Sequence, residues 1–142
     1  MEIDEITGIV IDTALNLHIK LGPGLLESVY EVILAKQLEL KGLKIERQKC
    51  INFEFEGVHF QEGFRCDLLV ESKIIVELKS VESLNPVSKK QLLTYLRLMN
   101  LEVGLLINFG AEKLKDGLHR IVNHHVPSTN SKLNINQQKN PL

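Results

Sequence analysis

From the N-terminus, the apolar positions Ile3, Ile6, Val10, Ala14, Leu17 and Leu21 recur at spacings of three and four. That period predicts an amphipathic helix. Gly22-Pro23-Gly24 ends it: Pro23 disfavours helix at Gly22, and both glycines permit unusual backbone angles. A second helix is predicted from about Leu25 to Lys41, with an apolar stripe through Leu26, Val29, Ile33 and Leu40. Gly42 is placed to cap its C-terminus.

The period then shortens to two. "LKIERQKCINFEFEG" alternates around Ile51, Phe53 and Phe55, and Glu56-Gly57 is a turn signal. "VHFQEGFRCDLLV" and "KIIVELKS" predict two further strands, joined near Glu71-Ser72. Asn85-Pro86 breaks the chain before a helix from about Val87, in which Leu92, Leu93, Leu96 and Met99 face the core. "EVGLLINF" is almost wholly apolar, the pattern of a strand buried on both faces. "AEKLKDGLHRIVNHH" fits either a strand or a helical turn.

The fold class is therefore α/β (α+β): helices, an antiparallel meander of three strands, a helix, and a strand that returns parallel to a neighbour. The result is a central mixed four-stranded sheet flanked by helices. One domain over residues 1–126 is expected, followed by a disordered polar tail over 127–142, rich in Asn, Gln and Ser.

Composition narrows the function classes. A formal charge of −1 removes the strong basic field that indiscriminate nucleic-acid binding needs. It leaves room for a local basic patch. Cys50 and Cys66 lie in strand-like surroundings without zinc-ligand spacing, so two buried reduced thiols are expected. The N-terminus lacks the pattern of a signal peptide, and no apolar run reaches the roughly 20 residues of a membrane span, so a cytoplasmic protein is expected.

Against this background Asp67, Glu77 and Lys79 stand out, because they interrupt the most strand-like segment, "CDLLVESKIIVELKS". Alternation puts Glu77 and Lys79 on one face while Val76 and Leu78 point the other way. A three-residue turn at Glu71, Ser72 and Lys73 sets Val70 opposite Ile74 and Asp67 opposite Glu77. Directly opposed residues have Cβ atoms about 5 Å apart, and two carboxylates that close repel unless a cation lies between them. Oxygen-only ligands suit Mg²⁺ or Mn²⁺. The bland alternative is a solvent-facing charged stripe on an edge strand; the aliphatic neighbours on both sides favour a central strand.

Asp67 followed by Glu77-Leu78-Lys79 resembles the core motif of the PD-(D/E)XK nuclease superfamily, with Cys66 in place of the signature proline. "GLLESVY", with Gly24, Glu27 and Tyr30, resembles the motif that names the GxxExxY proteins, a bacterial group of that superfamily. Gln91 and Tyr95, four apart on one helix face, resemble the Q-x-x-x-Y element of RecB-type nucleases. The resemblance covers roughly Ile6 to Val122 and implies a restriction-endonuclease-like core.

It also implies a Mg²⁺- or Mn²⁺-dependent nuclease, acting on nucleic acid and most readily on DNA. Asp67, Glu77 and the Leu78 carbonyl would hold the ion, with Glu27 as a further ligand or water-orienting group. Lys79 would position the attacking water or stabilise developing charge, Gln91 would fix a phosphate or water, and Tyr95 would brace the site. Lys89 and Lys90 are the first choices for phosphate contact, with Arg47, Lys49, Arg65 and Arg97 as further cations; for all of them a solvated surface is the plainer account. His18 is a weaker candidate near the metal. Two other readings remain: a nuclease-like binding module that cuts poorly or not at all, and a structural or toxin-neutralising protein without a polar site. No membrane partner is expected, and a homodimer is compatible with the superfamily's habits.

Overall fold

The computed structural model describes residues 1–124. The expected tail over 127–142 lies outside them. The elements run α1 (Ile3–Leu21), α2 (Glu27–Leu40), β1 (Ile45–Phe55), β2 (Val58–Val70), β3 (Ile74–Lys79), α3 (Val87–Met99), β4 (Val103–Asn108), α4 (Leu114–Gly117) and β5 (Leu118–Val122). The sheet order is β1-β2-β3-β4-β5, with β3 and β4 parallel and every other pair antiparallel. The sheet therefore has one strand more than expected. The ambiguous segment before the tail supplies both a helical turn and a strand.

Two apolar layers enclose the sheet. Helices α1 and α2 pack on Leu68, Val70, Ile74, Val76, Leu78, Leu105 and Ile107. On the other face Leu92 and Leu96 of α3 meet Leu69, Ile75 and Leu106. Because β3 and β4 are covered on both faces, their sequences are nearly continuous apolar runs. β3 is the middle strand of five, so its charged residues lie at the centre of the sheet and not on an edge.

The buried face of α1 runs through Ile6, Val10, Ala14 and Leu17, as its period predicts, although Leu21 is exposed. Helix α2 is turned relative to expectation. Its core face is Tyr30, Glu31, Leu34, Ala35 and Leu38, while Leu26, Val29 and Leu40 are exposed. The apolar residues of α2 occur on both sides of the cylinder, so periodicity alone selected the wrong stripe. Gly42 does end the helix: at φ 92° it donates to the Glu39 carbonyl, and Leu43 reaches back to that of Leu38.

At the C-terminal end of the parallel pair, the Phe109 N–H donates to the Lys79 carbonyl at 2.8 Å. The Tyr30 ring stacks on Phe109, with centroids 4.4 Å apart and planes 5° from parallel. The Tyr30 hydroxyl donates to the Gly22 carbonyl at 2.6 Å and accepts the Leu25 N–H at 3.2 Å. Tyr30 thus ties the Gly-Pro-Gly loop over the ends of β3 and β4, which brings the start of α2 to the same end of the sheet. Cys66 is buried as expected, but Cys50 is exposed, because it falls on the outward face of the edge strand β1.

Candidate active site

The turn at Glu71-Ser72-Lys73 closes as the sequence predicts. Glu71 and Ser72 take positive φ, and the Lys73 N–H returns to the Val70 carbonyl at 3.0 Å. The β2–β3 ladder then runs Val70–Ile74, Leu69–Ile75 and Leu68–Val76, and stops. Asp67 and Glu77 are the next pair in that register. Their side chains replace the missing ladder bonds. The Asp67 N–H donates to Glu77 Oε2 at 2.8 Å, and the Leu78 N–H donates to Asp67 Oδ2 at 2.9 Å.

The strands part at this point, and the side-chain alternation slips with them. Leu68 and Val70 face the α1–α2 layer and Leu69 faces α3, yet Cys66 also belongs to the α3 layer. Gln48, which falls opposite Asp67 between the pairs Arg47–Leu68 and Lys49–Cys66, has a left-handed backbone at φ 47°. Within a strand a residue's N–H and C=O point to the same side and alternate along the chain. The Lys79 carbonyl points to β4, where it accepts from Phe109; the Leu78 carbonyl therefore points into the gap that β2 has left.

Two half-buried carboxyls this close cannot both ionise freely. The Glu77 pKa is pushed up to about 8, first by burial and then by the Asp67 charge, and the two carboxyls are near enough to hydrogen-bond. Lys79, two residues along β3, opposes the shift, so its ammonium lies within electrostatic reach of Glu77. Burial pushes the Cys66 thiol up to about 12, and the charges of Glu77 and Asp67 add to the shift. Among the described residues no ion pair engages Asp67 or Glu77.

A divalent ion fits this donor set. It offers two hard anionic oxygens, a carbonyl aimed into the same gap, and a repulsion that a cation removes. Among the described residues no group of three or more His, Cys, Asp or Glu side chains is gathered for a metal, so the protein would supply two acids.

Of the remaining sequence candidates, neither Glu27 nor His18 is gathered with Asp67 and Glu77 among the described residues. Tyr95 stacks on Phe64, with centroids 4.2 Å apart. Its hydroxyl is held above its usual pKa by burial, then by the charges of Glu77, Asp67 and Cys66, so it lies within electrostatic reach of the acid pair. Gln91 lies one turn earlier on α3 and is exposed. Lys89 and Lys90 are exposed in the first turn of α3; the Lys89 charge helps hold His119 of β5 below its usual pKa, behind burial as the larger cause.

Glu27 is exposed in the first turn of α2, in an open cleft of about 460 Å³ shared with Leu25, Ser80, Glu82 and Gly110. His18 is buried, with Nε2 hydrogen-bonded to the Ala111 carbonyl at 2.9 Å. That nitrogen must carry a proton to bond a carbonyl, so it has no lone pair for a metal. Arg47 and Lys49 are engaged with Glu31 and Glu46.

Sequence reasoning missed Glu31 and Gln48. Glu31 is 5% exposed, paired with Arg47 at 3.0 Å, and hydrogen-bonded through Oε1 to the Gln48 amide. The same Gln48 nitrogen lies 3.3 Å from Asp67 Oδ1. No local signal marks this chain of contacts, which joins residues 17 and 19 apart through a left-handed strand position.

A sheet whose central strands part around an acid pair, with a lysine two residues beyond, defines a nuclease-like domain. The family model for the PD-(D/E)XK nuclease superfamily matches residues 4–121, and the chain belongs to that superfamily. Nucleases of this superfamily generally use divalent metal ions. No curated protein and no solved structure gives a significant match. Among the described residues, no helix is long and apolar enough to cross a membrane.

Proposed function

We propose that this domain is a divalent-metal-dependent nuclease that hydrolyses phosphodiester bonds in DNA, with Mg²⁺ or Mn²⁺ bound at Asp67 and Glu77. The observation that carries the proposal is that each of these two acids accepts a backbone N–H from the opposite strand where β2 and β3 part, Glu77 from Asp67 and Asp67 from Leu78, with Lys79 within electrostatic reach of Glu77. A bound divalent ion supplies Lewis-acid chemistry, activating water and offsetting charge on the phosphate.

The chain's own residues do the rest. Asp67, Glu77 and the Leu78 carbonyl would hold the ion. Lys79 holds a positive charge where the reacting phosphate gains negative charge. Tyr95 braces the α3 side of the pair, and Gln91, exposed one turn earlier, reaches toward a phosphate or water. Glu27 orients water from the cleft at the start of α2, and Lys89 and Lys90 approach the backbone of the substrate. DNA is the proposed substrate because α3 shares the Q-x-x-x-Y spacing of RecB-type nucleases. The Gly24, Glu27 and Tyr30 spacing supports the GxxExxY branch.

A second reading, a nuclease-like module that binds without efficient cutting, is favoured by one observation: Arg47 and Lys49, two of the cations near the site, are engaged in ion pairs. A cleavage assay separates the two. Purified protein is incubated with Mg²⁺ or Mn²⁺ and linear, circular, branched and single-stranded DNA, beside Asp67→Ala. Metal-dependent cutting that Asp67→Ala lacks is the expected result. DNA binding with no cutting of any substrate supports the module instead.

A further inference from the structure

We infer that Gln48 is a positioning residue for the metal centre, held in place by the buried Glu31, itself paired with the exposed Arg47, so that it fixes the orientation of the Asp67 carboxylate. The inference rests on the metal-site reading of Asp67 and Glu77. Asp67 is bonded at both oxygens: Oδ2 by the Leu78 N–H at 2.9 Å, and Oδ1 by the Gln48 amide at 3.3 Å. Leu78 is a fixed backbone donor. Gln48 is a side chain on an edge strand, and an unsupported exposed glutamine has many rotamers to lose.

Glu31 removes that freedom. It is buried on α2, its Oε2 held by Arg47 Nε at 3.1 Å and by the other arm of the same guanidinium at 3.0 Å. Its Oε1 receives the Gln48 amide. Arg47 and Gln48 are adjacent in β1, so in a regular strand they would point to opposite faces. The left-handed backbone at Gln48 lets both side chains reach the same carboxylate. A strand residue with φ near 50° is uncommon outside glycine, and here it serves a contact.

The two bonds hold the Asp67 carboxylate at both oxygens while each oxygen keeps a lone pair for an ion. Groups that orient ligands in this way commonly change metal affinity by about 10- to 100-fold when removed. The glutamine amide is suited to the task, because it donates to two acids without adding charge to the site.

The test is calorimetric Mn²⁺ titration of the wild-type chain, Gln48→Ala, Glu31→Gln and the double variant. Gln48→Ala keeps a Cβ and removes an exposed side chain, so the backbone strain is unchanged. It is expected to bind Mn²⁺ about 10-fold more weakly while staying folded, with a melting temperature a few degrees lower because the buried Glu31 loses a hydrogen-bond donor. The double variant is expected to bind no more weakly than the worse single variant, because both act through one chain of contacts. Wild-type affinity in Gln48→Ala, or additive losses, overturns the inference while leaving the metal site standing.

A wild-type chain that takes up no Mn²⁺ overturns the metal reading and the positioning role together. The side-chain amide resonances of Gln48 in metal-free protein then decide the contacts themselves. A response to both Glu31→Gln and Asp67→Asn supports the clamp, and no response to either removes it.

Discussion

Asp67 and Glu77 each occupy the place of a ladder hydrogen bond, Glu77 accepting the Asp67 N–H at 2.8 Å and Asp67 accepting the Leu78 N–H at 2.9 Å. The acids therefore wedge the sheet open and also line the opening. Each acid is anchored to a backbone N–H of the opposite strand, Glu77 to that of Asp67 and Asp67 to that of Leu78. An acid pair in which burial raises the proton affinity of Glu77 is a poor arrangement for stability and a good one for a divalent ion.

Lys79→Ala is expected to lower cleavage by about 10²- to 10³-fold, the range for losing one group that stabilises transition-state charge. Lys79 lies on β3 with its backbone bonded to Phe109, and that bond does not depend on the side chain. Circular dichroism and melting temperature should match the wild-type chain. Cleavage equal to wild type would identify a contaminating nuclease.

Metal-free stability should fall as pH rises. The folded-state pKa of Glu77 is pushed up to about 8 from an ordinary 4.5, so the folded chain holds that proton more tightly than the unfolded chain. The contribution is complete below pH about 4.5 and is lost as pH climbs through about 8. Because ligands must be deprotonated, Mn²⁺ affinity should rise over the same interval. Melting curves in chelator and Mn²⁺ titrations from pH 5 to 9 check both slopes, and Glu77→Gln should flatten the first.

Tyr30→Phe keeps the ring stacked on Phe109 and removes the hydroxyl that bonds Gly22 and Leu25. Losing these partly buried bonds should cost about 1–3 kcal/mol, read as a fall in melting temperature of several degrees. Activity should fall less than in Lys79→Ala, because the Tyr30 hydroxyl acts on the loop that leads into Glu27 at the start of α2. An unchanged melting temperature would mean that the loop is not held by this residue.

Gly110→Ala should be among the most damaging changes outside the acid pair. A Cβ there would overlap the Val81 backbone, which is itself held by the Asn108 side chain through both its N–H and its carbonyl. Neither side can yield, so a loss above about 2 kcal/mol is expected in chemical denaturation. A variant as stable as wild type would contradict the close approach of the two loops.

Much of this was legible in the sequence because it rests on short-range rules. The turn at Glu71-Ser72-Lys73 fixes the register from Val70–Ile74 to Leu68–Val76, and one further step brings Asp67 beside Glu77, where side chains take over from the ladder. The parallel pairing of β3 with β4 follows from an intervening helix. What escaped depended on tertiary choice. Helix α2 has apolar residues on two sides, and only packing against β3 and Phe109 selects the face of Tyr30 and Leu34. The strand β5, "LHRIV", is too short and too polar to be told from a helical turn. The Glu31–Gln48–Asp67 contacts need a left-handed residue inside a strand, which no alternation pattern announces.

The most direct measurement is an anomalous difference map from crystals of the protein soaked in Mn²⁺. One peak is predicted between β2 and β3, within coordinating distance of both the Asp67 and Glu77 carboxylates and absent from Asp67→Asn crystals. Peaks only elsewhere, or an Asp67 and Glu77 too far apart to touch one ion, would contradict the account.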